Sequence, residues 1–224
     1  DFHPSAFALI DLTAYHSQYL GTRHLKEEIG ERFPDSHSFL YKGDVFLFLH
    51  KDRDAAIFTE LAGEFGLKVI ISEAIRDLYD LPVLYRAARD ALDMIIASNY
   101  HGENVYSVSQ LRTPLLLKNL ESRGDLISPE LRALAEHDRK KETQYCETLY
   151  FYLIYSHSLK KTCDALFTHR NTVLYRIGKI RDDFLIPLDD PERYTELLFG
   201  TAILLFQNEG PNFFLRTMPQ THDE

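Results

Sequence analysis

The hydrophobic pattern of this chain changes period once, near Gln110 to Pro114, and that change restricts the folds open to it more than any single residue does. Before it, short strand-like apolar runs interleave with runs that repeat every three to four residues, as helices do. After it, from Leu115 to Asn208, only the helical repeat remains. A strand set and a helix set bury their side chains in different geometries, so two cores are expected, and 224 residues suffice for both.

In the first half "AFALIDL" (6 to 12) reads as a buried strand, "YLGTRHLKEEIGERF" (19 to 33) as a helix, and "SHSFLYKGDVFLFLH" (36 to 50) as two strands folded at Lys42-Gly43-Asp44. "DAAIFTELAGEFG" (54 to 66) reads as a helix closed by Gly66, "LKVIISEAI" (67 to 75) as a strand, and "LPVLYRAARDALDMIIAS" (81 to 98) as a helix with Pro82 near its start. The order β-α-β-β-α-β is that of a ferredoxin-like domain. The expected class is therefore α+β, with that domain over 1–111, a helical linker over 112–147 and an all-α domain over 148–224. Helix breaks are expected at 122–125, 128–130, 156–158, 167–169 and 186–192. The tail beyond Gly210-Pro211 is ordered if Phe213, Phe214 and Leu215 dock. The run "YFYLIY" (150 to 155) is apolar nearly all round a helix, so it is buried in its own domain or at an interface.

A formal net charge of -9 argues against a surface that attracts polyanions everywhere, because such a surface needs a positive field. Yet "SLKKTCDALFTHRNTVLYRIGKI" (158 to 180) is basic. From Ser158 to Ile186 six basic residues stand against three acidic ones, a net of +3, which leaves -12 for the rest of the chain. Leu159, Cys163 and Leu166 share one side of a first helix, and Val173, Ile177, Ile180 and Phe184 share a stripe on a second. Two short amphipathic helices joined by a three-residue turn have the anatomy of a helix-turn-helix, whose second helix enters the major groove of DNA. With Val173 and Ile177 inward, that helix presents Asn171, Thr172, Tyr175, Gly178 and Lys179, with Arg170 and Arg176 on its flanks. Asn suits adenine, Arg suits guanine, and Thr or a Tyr ring suits a thymine methyl, while Lys160, Lys161 and Lys179 suit phosphates. His169 either donates to a phosphate at the helix start or fills the turn. A helical hairpin with a solvated basic face would show the same spacing.

The turn residues add a resemblance. Thr148-Leu149 with Tyr152-Leu153, Thr162 with Leu166, His169-Arg170-Asn171-Thr172 with Tyr175-Arg176, and Leu188 with Asp190 resemble the C-terminal helix-turn-helix of PucR-type transcriptional regulators, among them the CdaR sugar-diacid regulators. Cys163 stands where that family usually has Ala. The resemblance implies a regulator that binds promoter or operator DNA, acts as a homodimer or larger homo-oligomer, and answers a small-molecule effector. It also implies a GGDEF-like first domain: Asp11 sits where a nucleotide cyclase places a metal-binding Asp, and Asp44, in "YKGDVF", matches the third position of the motif. Lys42 in place of the first Gly, Val45 in place of a metal-holding Glu, and no Lys within Thr13-Ala14-Tyr15-His16 mark that domain as degenerate, with Asp11 and Asp44 a vestigial metal or ligand cleft.

No other constellation competes. The ten His residues are scattered, Cys146 and Cys163 form no CxxC pair, and neither GxSxG nor a phosphate-cradling glycine loop occurs. The chain is thus expected to be no enzyme and to need neither metal nor cofactor. Arg86, Arg89 and Asp93 are expected to form spaced helix pairs or to meet a partner. The absence of a membrane-length apolar run and the cysteine usage point to the cytoplasm, and the start at Asp1 to a piece of something longer. A second reading remains open: a non-catalytic ligand-sensing or protein-interaction module on a degenerate cyclase fold.

Overall fold

A computed structural model describes residues 5–12, 22–34, 36, 38–49, 54–98 and 102–216. The chain divides into two compact units, Asp1–Leu115 and Leu116–Glu224.

The first unit is built on a five-stranded sheet. Its elements run β1 (Ala6–Asp11), α1 (Thr22–Arg32), β2 (Ser38–Tyr41), β3 (Asp44–Leu49), α2 (Asp54–Phe65), β4 (Lys68–Ile71), α3 (Leu81–Ser98) and β5 (Val105–Ser107), and α4 (Arg112–Leu120) follows across the division. The strand order is β2-β3-β1-β4-β5, antiparallel except for the β4–β5 pair. Residues 19–21 and 13–16, read above as a helix start and a loop lacking Lys, lie outside the described residues.

Period-2 alternation divides the strand residues between two faces. Ala8, Ile10, Val45, Leu47 and Val69 face Leu25 and Ile29 from α1, Phe33 just after it, and Phe58 and Leu61 from α2. Phe7, Leu9, Phe46 and Ile70 point the other way, the side on which α3 buries Ala88, Ala91, Leu92 and Ile95. The hairpin turns at Lys42 and Gly43, with φ of 52° and 96°. Two consecutive positive φ values make the turn whose twist matches paired strands, and only the second position carries glycine.

One strand departs from expectation. The fourth strand stops at Ile71 instead of running on to residue 75, because the Ser72 hydroxyl accepts the Phe7 amide at 2.9 Å in place of the ladder. The fifth strand has only three residues and lies parallel to β4 after the α3 crossover.

The second unit is helical: α5 (Pro129–Lys141), α6 (Tyr145–Ile154), α7 (Leu159–Ala165), α8 (Arg170–Asp183), α9 (Pro191–Glu209) and α10 (Asn212–Arg216). Segment 112–147, expected as a helical linker, is mostly exposed, yet its Leu117, Ile127, Leu131 and Leu134 belong to the same buried cluster as Leu149, Val173 and Leu197. Its amphipathic stripe has its partners inside the unit. The helix α6 is the middle of the cluster, with Tyr145, Cys146, Thr148, Leu149, Phe151 and Leu153 all buried, so "YFYLIY" is internal to this unit. Phe213 and Phe214 dock on the same cluster and order the residues up to Arg216.

A break that periodicity missed separates α5 from α6. Glu142 takes a left-handed conformation (φ 53°), and Asp138 then reaches across the turn. Its carboxylate accepts the Tyr145 amide at 2.9 Å, the Cys146 amide at 2.7 Å and the Thr143 hydroxyl at 2.5 Å. Two amides that α6 cannot satisfy within itself are thereby capped. At the other end of the cluster Gly200 of α9 lets Leu131 approach so closely that an added Cβ would lie 2.7 Å from its Cδ1.

The cap gives a prediction. Asp138→Ala leaves two buried amides without acceptors and should lower stability by about 1–3 kcal/mol, read as a reduced urea midpoint at an unchanged slope. An unchanged midpoint would mean that α6 does not depend on this carboxylate.

Candidate nucleic-acid interface

The basic segment folds as α7, a tight turn and α8. Ser158 precedes α7, whose Thr162 is fully buried and donates its hydroxyl to the Ser158 carbonyl at 2.9 Å. After Leu166 the chain reverses at Phe167, which has a φ of 49°. The Thr168 amide returns to the Cys163 carbonyl at 3.0 Å and the Phe167 amide to the Asp164 carbonyl at 3.3 Å. This is the Schellman arrangement, with Phe in the left-handed position that glycine usually fills. The Phe167 side chain is 97% exposed, so no packing inside the unit offsets the backbone cost.

Val173, Ile177 and Ile180 are buried and set the rotation of α8 about its axis. That rotation turns Arg170, Asn171 and Tyr175 to solvent, with Thr172, Gly178 and Lys179 half-exposed beside them. Leu174, 44% exposed, belongs to the same outward surface and was not singled out by spacing. His169 is the cap residue of α8 and is exposed; its carbonyl accepts the Thr172 and Val173 amides, and its ring makes no capping hydrogen bond. Lys160 and Lys161 are exposed on α7. Among the described residues no carboxylate lies within ion-pair distance of Lys160, Lys161 or Arg170. An external anion would meet no competing carboxylate among the described residues at these three cations.

Two members of the expected set are engaged within the protein. Lys179 meets Asp183 at 2.9 Å and lies 5.9 Å from the Tyr175 ring centre, and the carboxylate holds its ammonium above the usual lysine range. Arg176, expected on the DNA face, turns its guanidinium inward. It donates to Thr148 Oγ1, on the first turn of α6, at 3.1 Å and to Oε1 of Gln144, the cap residue before that helix, at 3.0 Å. Its role here is to tie α8 to α6. The sequence signal near that contact was a Thr inside an apolar run; the Thr148 hydroxyl donates to the Gln144 carbonyl at 2.6 Å and keeps a lone pair for the guanidinium.

Asp11 and Asp44 do come together, in the first unit. The register that pairs Ile10 with Val45 sets them at neighbouring strand ends, and both are buried. Arg89, on α3, binds the Asp44 carboxylate and also Asp93 one turn along its own helix. Burial pushes the Asp44 carboxyl above the usual carboxylate range, and Arg89 pulls it back. Hydrogen bonds to Asp93 and Asp44 hold the guanidinium charged. Of the expected helix pairs, Arg89 with Asp93 is present. Among the described residues no group of three or more His, Cys, Asp or Glu stands close enough to hold a metal, and no helix is long and apolar enough to cross a membrane.

Comparison with known proteins places this geometry. The chain is 26% identical to the proline-responsive transcriptional activator PutR of Bacillus subtilis (strain 168), over 84% of its own length and 51% of that protein's. It is 27% identical to the purine catabolism regulatory protein of the same organism, over 71% of its own length and 33% of that protein's. It therefore spans about half the length of the first relative and a third of the second. A crystal structure of a regulator of polyketide synthase expression from Bifidobacterium adolescentis aligns with 92% of this chain and 80% of its own, at 16% identity and a TM-score of 0.39. Residues 145–203, from the start of α6 into α9, match the PucR C-terminal helix-turn-helix domain, and they contain α7, the Phe167 turn and α8.

Proposed function

We propose that this chain is part of a DNA-binding transcriptional regulator of metabolic genes, of the PucR/CdaR type, that reads promoter DNA with α8. The observation that carries the proposal is the outward face of α8, with Arg170 and Asn171 exposed beside Lys160 and Lys161, in a segment that matches the PucR helix-turn-helix domain. The names of the two Bacillus relatives, both regulators, support the same reading.

On this reading Arg170, Asn171, Thr172 and Tyr175 meet base edges. Lys160, Lys161 and His169 meet phosphates, and so does Lys179 once DNA competes with Asp183. Arg176 positions the helix. The segment carries one reading helix, so two chains would read half-sites roughly 34 Å apart. Effector sensing is assigned to a part of the protein outside this chain, and the compartment is the cytoplasm. The domain limits proposed are 1–111 for a degenerate GGDEF-like domain and 148–224 for the DNA-binding domain. Asp11 and Asp44 at neighbouring strand ends support the GGDEF likeness, and Val45 with the Arg89 clamp on Asp44 supports loss of catalysis.

Arg170→Ala and Asn171→Ala should each remove about 1–3 kcal/mol of preference for the cognate site over a scrambled duplex, with thermal unfolding unchanged. Full specificity in both variants would sink the assignment. Lys160→Ala should weaken binding to every duplex alike and reduce the slope of log affinity against log salt by about one unit. Gly178 offers a separate test, because an added Cβ there meets nothing within 4 Å inside the protein. Gly178→Ala should raise stability by up to about 1 kcal/mol and weaken DNA binding, if the glycine is there to admit the DNA backbone. Stabilisation with unaltered binding would remove that reason for it.

A further inference from the structure

We propose that the first unit holds a pocket for a planar anion, an aromatic ring carrying one carboxylate, between the aromatic face of the β2–β3 hairpin and the first half of α3. A cavity of about 560 Å³ lies there, a size ordinary for a small-molecule site. It exists because α3 covers the α3-side face of the sheet over β1 and β4 and leaves the β2 edge of that face open.

The floor is aromatic. Phe39, Tyr41, Phe46 and Phe48 point to this side and line the cavity. Phe39 stacks on Phe46 with centroids 5.0 Å apart, and Phe39 and Tyr41 are still 41% and 42% exposed. A flat ring laid on that floor would remove apolar surface from water without moving the backbone.

The polar groups at the cavity select an anion. The left-handed turn at Lys42 sets its ammonium 5.4 Å from the Tyr41 ring centre and 5.5 Å from that of Tyr85. Arg86 lines the opposite wall. Among the described residues neither Lys42 nor Arg86 has a carboxylate within ion-pair distance. Arg89 also lines the wall but is already answered by Asp44 and Asp93, and Asp90 is one turn on from Arg86. Tyr85 has a buried hydroxyl with no hydrogen-bond partner among the described residues. Such a group loses free energy unless something accepts from it, and a carboxylate seated between Lys42 and Arg86 would. A neutral ring would offer the two cations no opposite charge to pair with.

The test uses the whole chain and two probes of the same shape, 2-naphthoate and 2-naphthamide, by calorimetric titration. Saturable naphthoate binding at least about 10-fold tighter than naphthamide is expected. In the double variant Lys42→Asn with Arg86→Gln the two probes should bind within about 2-fold of each other, at unchanged thermal unfolding. Asn tolerates the left-handed turn. Tyr85→Phe, which removes only the unpartnered hydroxyl, should reduce the preference without destabilising the fold. The proposal is overturned by absence of saturable naphthoate binding, by equal affinity of the two probes, or by a preference that survives in the double variant.

Discussion

The helix α6 has almost no polar side to give to water, and the rest of the second unit is arranged around that fact. Six of its ten residues are buried, so neighbouring helices must enclose it on several sides. Enclosure buries its first-turn amides as well, and buried amides need acceptors. Asp138, supplied by the preceding helix across the Glu142 turn, provides two. Thr148 of α6 and Gln144, the residue that precedes the helix, receive Arg176 from α8. One carboxylate and one guanidinium thus connect α5 to α6 and α6 to α8, on top of the apolar packing.

That scaffold divides the labour within α8. Its buried stripe of Val173, Ile177 and Ile180 settles which residues face outward, and Arg176 adds a directional tie where apolar contacts alone allow rotation. The outward residues then need no rearrangement before meeting a ligand, which keeps the ordering cost of binding low. The segment is basic within an acidic chain, so long-range attraction to a polyanion is confined to one side. Phe167 fits this scheme differently. It accepts a left-handed backbone and full exposure in the turn, where glycine would serve the fold better, and such outliers gather at functional positions.

The first unit shows how a carboxylate pair is kept without a metal-binding partner. Asp11 and Asp44 are buried at neighbouring strand ends, an arrangement costly for two anions, and Arg89 supplies the opposite charge. The same helix shapes the open aromatic edge of the sheet, because α3 leans toward β1 and β4. Charge neutralisation at Asp44 and the adjoining cavity, which Arg89 also lines, are therefore both consequences of where a single helix lies.

Local chemistry was enough for much of this. Periodicity determined the strands β1 to β3, the limits of α3 and the two-helix basic element, because 2-residue and 3.6-residue repeats leave different traces in any window. Asp190, whose carboxylate accepts the Glu192 amide, and Pro191 in the first turn open α9, since capping depends on adjacent residues. The outward set on α8 was legible for the same reason: once the apolar stripe is known, the opposite face follows. Three things were decided only by tertiary structure. The segment 112–147 reads as a connector until Leu131 and Leu134 meet Leu149 and Leu197, and no local pattern names such partners. Asp138 and Arg176 look like ordinary surface charges until helices distant in sequence bring buried amides and a buried hydroxyl to them. Arg89 reads as one half of a helical pair until α3 crosses the sheet and lays it on Asp44. Sequence determines what a side chain can bond with; which group stands within reach depends on the packing of whole elements.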